Sequence, residues 1–124
     1  MAADWLDIKF LQNIMTTPYS YVIGEIFFTG SMDALSSLLT ASGLPNSVGE
    51  WAIRLDGYPT FFEIAFVGNL SPEEPYHVDG DGYGMQLDAV ALWCDKLTSC
   101  LMKNAIKHEF VHCTHDEELC VYRA

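Results

Sequence analysis

The sequence is short of positive charge. Lysine and arginine together number 6 against 17 aspartates and glutamates, a formal net charge of −11 over 124 residues. Holding a phosphate backbone takes clustered cations, and only Lys103 and Lys107 lie near each other, so direct binding of nucleic acid is not expected. Long apolar runs are missing too. Each hydrophobic stretch is broken by a charge or a glycine before the ~18 residues that a membrane-crossing helix requires. The start, Met1-Ala2-Ala3-Asp4-Trp5, has neither the basic residues nor the apolar core of a secretory signal. These absences predict a soluble, cytoplasmic protein with no membrane partner. No internal repeat, low-complexity tract or linker divides the chain, so residues 1–124 are expected to form a single domain, and 50% apolar residues suffice for its core.

Cysteine is scarce and loosely spaced, unlike the dense framework of a small secreted scaffold. Cys94 and Cys100 are six residues apart in a predicted helix, too far along its axis to bridge. Cys113 and Cys120 could face each other across a terminal hairpin, but under a cytoplasmic reading all four thiols are expected to act as small core hydrophobes.

Carboxylate is abundant, and its placement is uneven. The acids concentrate in Glu73-Glu74, in the glycine-broken run Asp79-Gly80-Asp81-Gly82, and in Asp116-Glu117-Glu118. Uncompensated charge of one sign destabilises a compact chain by self-repulsion, and a cationic partner relieves it.

Periodicity divides the rest. Trp5 to Met15 fits a short helix capped by Asp4, and Tyr19 to Thr29, rich in β-branched and aromatic residues, fits an interior strand. Ser31 can cap a helix whose stripe is Leu35, Leu38 and Leu39 and which ends at Gly43. Trp51, Ile53 and Leu55 alternate as a half-buried strand, Asp56-Gly57 turns the chain, and Thr60 to Val67 returns antiparallel with Phe62, Ile64 and Phe66 on one face. Residues 68–84 hold Pro72, Pro75 and several glycines and are expected to form a long loop. Leu87, Val90, Ala91, Cys94, Leu97, Leu101 and Ala105 then mark a longer amphipathic helix. His108 to Cys113 and Leu119 to Tyr122 close the chain as two strands about the turn Thr114-His115-Asp116-Glu117. The order strand, helix, strand, strand, helix, strand matches the split β-α-β unit of ferredoxin-like folds, with an extra N-terminal segment and a C-terminal strand. An α+β sandwich is predicted: an antiparallel sheet with helices on one face.

Several segments resemble chemical motifs and fall short on spacing. His108, His112, His115 and Cys113 are good transition-metal ligands. On an extended strand, however, His108 and His112 lie about 13 Å apart, so no metal is expected there. His112-Cys113-Thr114 has the His-x-Thr form of two-histidine phosphoesterases, but its only possible counterpart, His77-Val78-Asp79, lacks the hydroxyl residue. Cys113 and His112, neighbours on a strand, point to opposite faces and cannot share a proton. Asp79-Gly80-Asp81-Gly82-Tyr83-Gly84 opens like a calcium loop, yet its fifth position is Tyr83 and its twelfth is Val90. The same aspartates repel the phosphate that a glycine-rich turn would cradle. No cofactor and no catalytic residue is assigned.

The segment Pro72 to Tyr83 instead mixes charge with contact area: Glu73, Glu74, Tyr76, His77, Asp79, Asp81 and Tyr83. Carboxylates steer encounter with a basic protein while tyrosines anchor it. Asp116, Glu117 and Glu118 form the second candidate contact cluster. In size, acidity, single α+β domain and acidic loops, the chain resembles small bacterial immunity proteins of polymorphic and contact-dependent toxin systems. That resemblance implies an inhibitor, not an enzyme, covering the active cleft of a cognate basic toxin such as a nuclease; no functional residue carries over from it. Two alternatives stand beside it: a phage-type acidic inhibitor of a nucleic-acid-binding protein, acting through the same residues, and a small enzyme or ligand-binding domain using His77, His112 or His115 in a cleft.

Overall fold

A computed structural model describes residues 19–124. The helix expected over Trp5 to Met15 lies outside the described residues. Seven strands and two helices follow in the order β1 (Ser20–Ile26), α1 (Met32–Ala41), β2 (Asn46–Val48), β3 (Ala52–Leu55), β4 (Phe61–Phe66), β5 (Tyr76–Asp81), α2 (Leu87–Lys103), β6 (His108–Thr114) and β7 (Glu118–Arg123). The strands form one sheet, ordered β2-β3-β4-β5-β1-β6-β7, with every neighbouring pair antiparallel.

The first helix starts and stops for local reasons. Ser31 accepts from the Ala34 N–H at 3.1 Å, satisfying one of the free donors of the first turn. At the other end the Gly43 N–H donates to the Thr40 carbonyl and the Leu44 N–H to the Leu39 carbonyl, with Gly43 at φ 82°. That left-handed residue reverses the chain and drops Leu44 into the core beneath the helix it has just left. The second helix ends the same way through Ala105, at φ 54°, and Ile106. Ala105 is thus an exposed cap rather than the last member of the apolar stripe.

Period-two alternation then sorts the sheet into two faces. Val22 and Ile26 of β1, Ile53 and Leu55 of β3, Phe62 and Ile64 of β4, Tyr76 and Val78 of β5, and Phe110 of β6 all point to one side. Leu35 and Leu39 of α1, with Val90, Cys94, Leu97 and Leu101 of α2, join the same core cluster. Both helices therefore cover one face, as the α+β expectation held. Each fully buried Leu, Ile or Phe contributes about 1.5–3 kcal/mol. A buried polar latch ties the second helix to the sheet: His108 Nδ1–H donates to the Ile106 carbonyl at 2.9 Å, which leaves Nε2 to accept from the Thr98 hydroxyl at 2.6 Å.

The sheet is larger than the sequence pattern predicts. A β-α-β unit split by an intervening strand is present, but it runs β5-α2-β6 around β1, and β5 is the segment expected to be a loop. Residues 46–48 add a further edge strand. Trp51, expected on a buried strand face, precedes β3 and is 61% exposed. Cys120, expected in the core, is exposed, whereas Cys94, Cys100 and Cys113 are buried; all four are free. The hairpin register sets His112 opposite Cys120 and Cys113 opposite Glu118, so the two thiols do not meet across it.

Candidate functional site

Among the described residues, no helix packs on the second face of the sheet, and its composition follows from alternation alone. Residues between the buried positions of each strand must point the other way. The register assembles them into cross-strand rows. One row runs Arg54, Glu63, Asp79, Ile23, Val111, Val121; the next runs Ala52, Ala65, His77, Glu25, Glu109, Arg123; a third runs Phe61, Asp81, Tyr21, Cys113, Glu118. The open face thus bears the carboxylates of Glu25, Glu63, Asp79, Asp81, Glu109 and Glu118 against the cations Arg54 and Arg123.

Local contacts organise this charge. Arg54 lies over the Phe61 ring, 5.5 Å from its centroid. Arg123 meets Glu109 at 3.4 Å, a solvent-exposed pair worth little to stability. His77 Nδ1 is 3.8 Å from a Glu25 oxygen with both side chains half-buried. Glu63 and Asp79 are direct cross-strand neighbours of like sign, an arrangement that destabilises a free sheet and that a cation placed over it would relieve. A shallow groove of about 250 Å³ runs over Ile23, Val111 and Val121 between Glu25, Glu109 and Glu118. Its apolar floor and its rim of three carboxylates, with Arg123 as the one cation beside them, suit a long basic side chain, whose stem is hydrocarbon and whose head is charged.

At one end of the face Asp81 holds an aromatic cluster. Its Oδ1 accepts from the Tyr83 N–H at 2.8 Å, turning the chain out of β5. Hydrogen bonding to Asp81 raises the Tyr19 pKa, with desolvation and the negative charges of Asp81 and Asp79 adding to it. The Tyr19 ring lies 6.1 Å from Tyr21 and 6.4 Å from Tyr83. Tyr19 and Tyr83 are 49% and 72% exposed. Exposed tyrosine beside carboxylate offers contact area with few rotamers to freeze.

The predicted contact residues are therefore partly regrouped. Glu73 and Glu74 do sit in an exposed connection, between β4 and β5. Asp116 and Glu117 occupy the exposed turn before β7, and Glu118 begins that strand. His77, Asp79 and Asp81 do not lie in a loop: they are the outward residues of an interior strand, brought into line with Glu63 and Glu25. Tyr76 is corrected outright. It is 1% exposed, packs at 5.4 Å from Phe66 and 6.1 Å from Phe28, and donates its hydroxyl to the Gly30 carbonyl at 2.7 Å, so no partner can reach it. Tyr19, Tyr21, Ile23, Glu25, Glu63 and Glu109 escaped the sequence reading. The signal was the alternation Tyr76, Val78, Gly80 against His77, Asp79, Asp81, which glycine and aspartate disguise because both are poor strand formers.

The three histidines proposed for a cleft do not converge. His77 lies on the open face, His115 in the exposed turn, and His112 on the core side at 2% exposure. Among the described residues no group of three His, Cys, Asp or Glu is placed to hold a metal ion. No helix among them is long and apolar enough to cross a membrane. Burial and the charge of Asp95 push the Cys94 thiol up to about 12, where it is inert as a nucleophile.

His112 has a different consequence. Its Nε2 is buried without a hydrogen-bond partner, and desolvation lowers its pKa from the ordinary 6.5. Acidification protonates the unfolded chain first, so this residue's effect on stability is absent above pH 6.5 and grows as the pH falls toward its depressed folded pKa. Comparing chemical denaturation of the wild type and of His112→Leu at pH 7.5 and pH 5 should show a smaller acid loss in the variant. Equal losses would mean that His112 does not bear the proton.

No protein-family model, no curated protein and no solved structure matches the chain.

Proposed function

We propose that the chain is an acidic inhibitor that binds and neutralises a basic protein partner, in the manner of an immunity protein covering the active cleft of a toxin nuclease. The observation that carries this is the open sheet face: Glu25, Glu63, Asp79, Asp81 and Glu109 aligned by strand register beside exposed Tyr19 and Tyr83, on a chain of net charge −11. A nuclease cleft is lined with cations spaced for phosphates. A rigid sheet presents carboxylates at fixed intervals of about 4.8 Å between strands and about 6.8 Å along one, and can occupy the same cations without being cleaved. Inhibition on this reading is steric and electrostatic, and it takes place in the cytoplasm. Glu73, Glu74, Asp116 and Glu117, exposed beyond the face, add to the field that steers encounter.

Affinity capture from the source cell, with the chain as bait, should recover a basic protein whose activity the chain suppresses. The triple variant Glu25→Lys, Glu63→Lys, Asp79→Lys should then slow association by about 10–100-fold at low salt and flatten its salt dependence, with circular dichroism unchanged. Association as fast as wild type would remove the face from the interface. Failure to capture any basic protein would remove the function. A captured nucleic-acid-binding regulator without toxic activity would favour the second reading, an acidic inhibitor acting through the same carboxylates.

A further inference from the structure

The outer edge of β7 ends the sheet, and no strand pairs with it among the described residues. The backbone groups it carries follow from the ladder with β6. The Phe27 N–H donates to the Lys107 carbonyl at 2.8 Å, so Lys107, and by alternation Glu109 and Val111, turn their backbone groups toward β1. The Ala124 N–H donates to the His108 carbonyl at 3.1 Å, so His108, Phe110 and His112 turn theirs toward β7. Tyr122 and Cys120, opposite Phe110 and His112, are bonded inward. Val121 and Arg123 therefore direct both N–H and C=O away from the sheet, the Val121 carbonyl meeting only the Cys120 thiol at 3.9 Å, a template for another strand.

The side chains restrict what that strand can be. The edge is acidic where it begins, at Asp116, Glu117 and Glu118, and basic where it ends, at Arg123. Val121, 37% exposed, terminates the apolar row Ile23, Val111, Val121 of the open face. An antiparallel strand suits this edge if it sets an apolar residue opposite Val121, brings a cation diagonally near Glu118 and a carboxylate diagonally near Arg123. A second β7 centred on Val121 supplies all three.

We propose that two copies of this chain associate by antiparallel pairing of their β7 strands, with Val121 opposite Val121 of the second copy. A twofold axis normal to the sheet keeps each open face on the same side. Each Val121 N–H then donates to the Val121 carbonyl of the other copy, the row Val111, Val121 continues into its counterpart, and each Arg123 comes to lie one residue from Glu118 of the other strand. The net charge of −11 per copy opposes association at long range, so added salt should strengthen the pairing. A basic partner on the open face would respond in the opposite sense, which separates this dimer from the inhibitor function; neither depends on the other.

Sedimentation velocity of the full chain over a range of concentrations, at low and high salt, measures the association directly. Cys120 is the exposed thiol near the proposed axis, and a short bis-maleimide should link two copies through it, with Cys120→Ser unreactive. Val121→Pro deletes the outward N–H without touching the ladder to β6, and edge strands tolerate proline there. It should weaken the dimer by about tenfold or more, through two lost backbone hydrogen bonds. Val121→Lys sets two ammonium groups opposite each other and should weaken it comparably, so it decides the matter if the proline variant misfolds. A monomer under all conditions, or crosslinking undiminished in the Val121 variants, would overturn the proposal.

Discussion

Gly24→Ala should destabilise the fold severely, although alanine is only one methyl larger. Gly24 lies inside β1, the strand held between β5 and β6. A Cβ there would lie 2.3 Å from the Glu109 carbonyl oxygen and 2.3 Å from the Phe110 Cα. Both are backbone atoms of a paired strand, so relief requires parting β1 from β6 and breaking ladder hydrogen bonds around the most buried part of the sheet. A cost above about 4 kcal/mol is expected, against a total stability of about 5–15 kcal/mol for a domain. The melting temperature should fall by about 10 °C or more, or the protein should accumulate insoluble. Gly43→Ala is the control. Nothing lies within 4 Å of the added methyl, and its φ of 82° imposes only a left-handed alanine, a loss of about 1–2 kcal/mol. Similar melting temperatures for the two variants would show that β1 and β6 are not so closely apposed.

Tyr76 gives the second large effect and separates fold from function within a segment where sequence alone mixes them. Tyr76→Ala removes a ring packed against Phe28 and Phe66 at the start of β5 and should cost about 3–5 kcal/mol. Tyr76→Phe keeps the ring and loses only the hydroxyl's bond to the Gly30 carbonyl, about 1–2 kcal/mol. Binding of the captured partner by Tyr76→Phe should match wild type, because the side chain is enclosed. A phenylalanine variant with native stability and impaired binding would return Tyr76 to the interface and contradict its burial.

The position of β5 explains both Tyr76 outcomes, and its local sequence conceals it. Tyr76-His77-Val78-Asp79-Gly80-Asp81 contains two aspartates and a glycine, residues that disfavour strands in isolation. It is held by two neighbours, β4 and β1, each supplying a full ladder. Gly80 belongs there for the same reason: a Cβ would lie 2.8 Å from the Phe62 ring and 3.2 Å from Val22, so the core has room for a strand at that point only without a side chain. Tertiary packing overrode local propensity, and four predicted contact residues moved with it. Tyr76 turned inward, while His77, Asp79 and Asp81 became a row of an interior strand.

What the sequence determined by itself is whatever short-range chemistry enforces. Ser31 and Gly43 bound the first helix because a hydroxyl satisfies a free N–H and a glycine accepts positive φ. Asp56-Gly57 turned the hairpin between β3 and β4, the three-and-four spacing from Val90 to Leu101 marked the buried side of α2, and the excess of carboxylate was plain from composition. Only the tertiary structure decided where that charge lies. Residues 25, 63, 79 and 109 are far apart in sequence and become neighbours through strand order, which depends on long-range pairing and leaves no periodic trace in any one segment. The acidity was legible as a quantity; the sheet made it a surface.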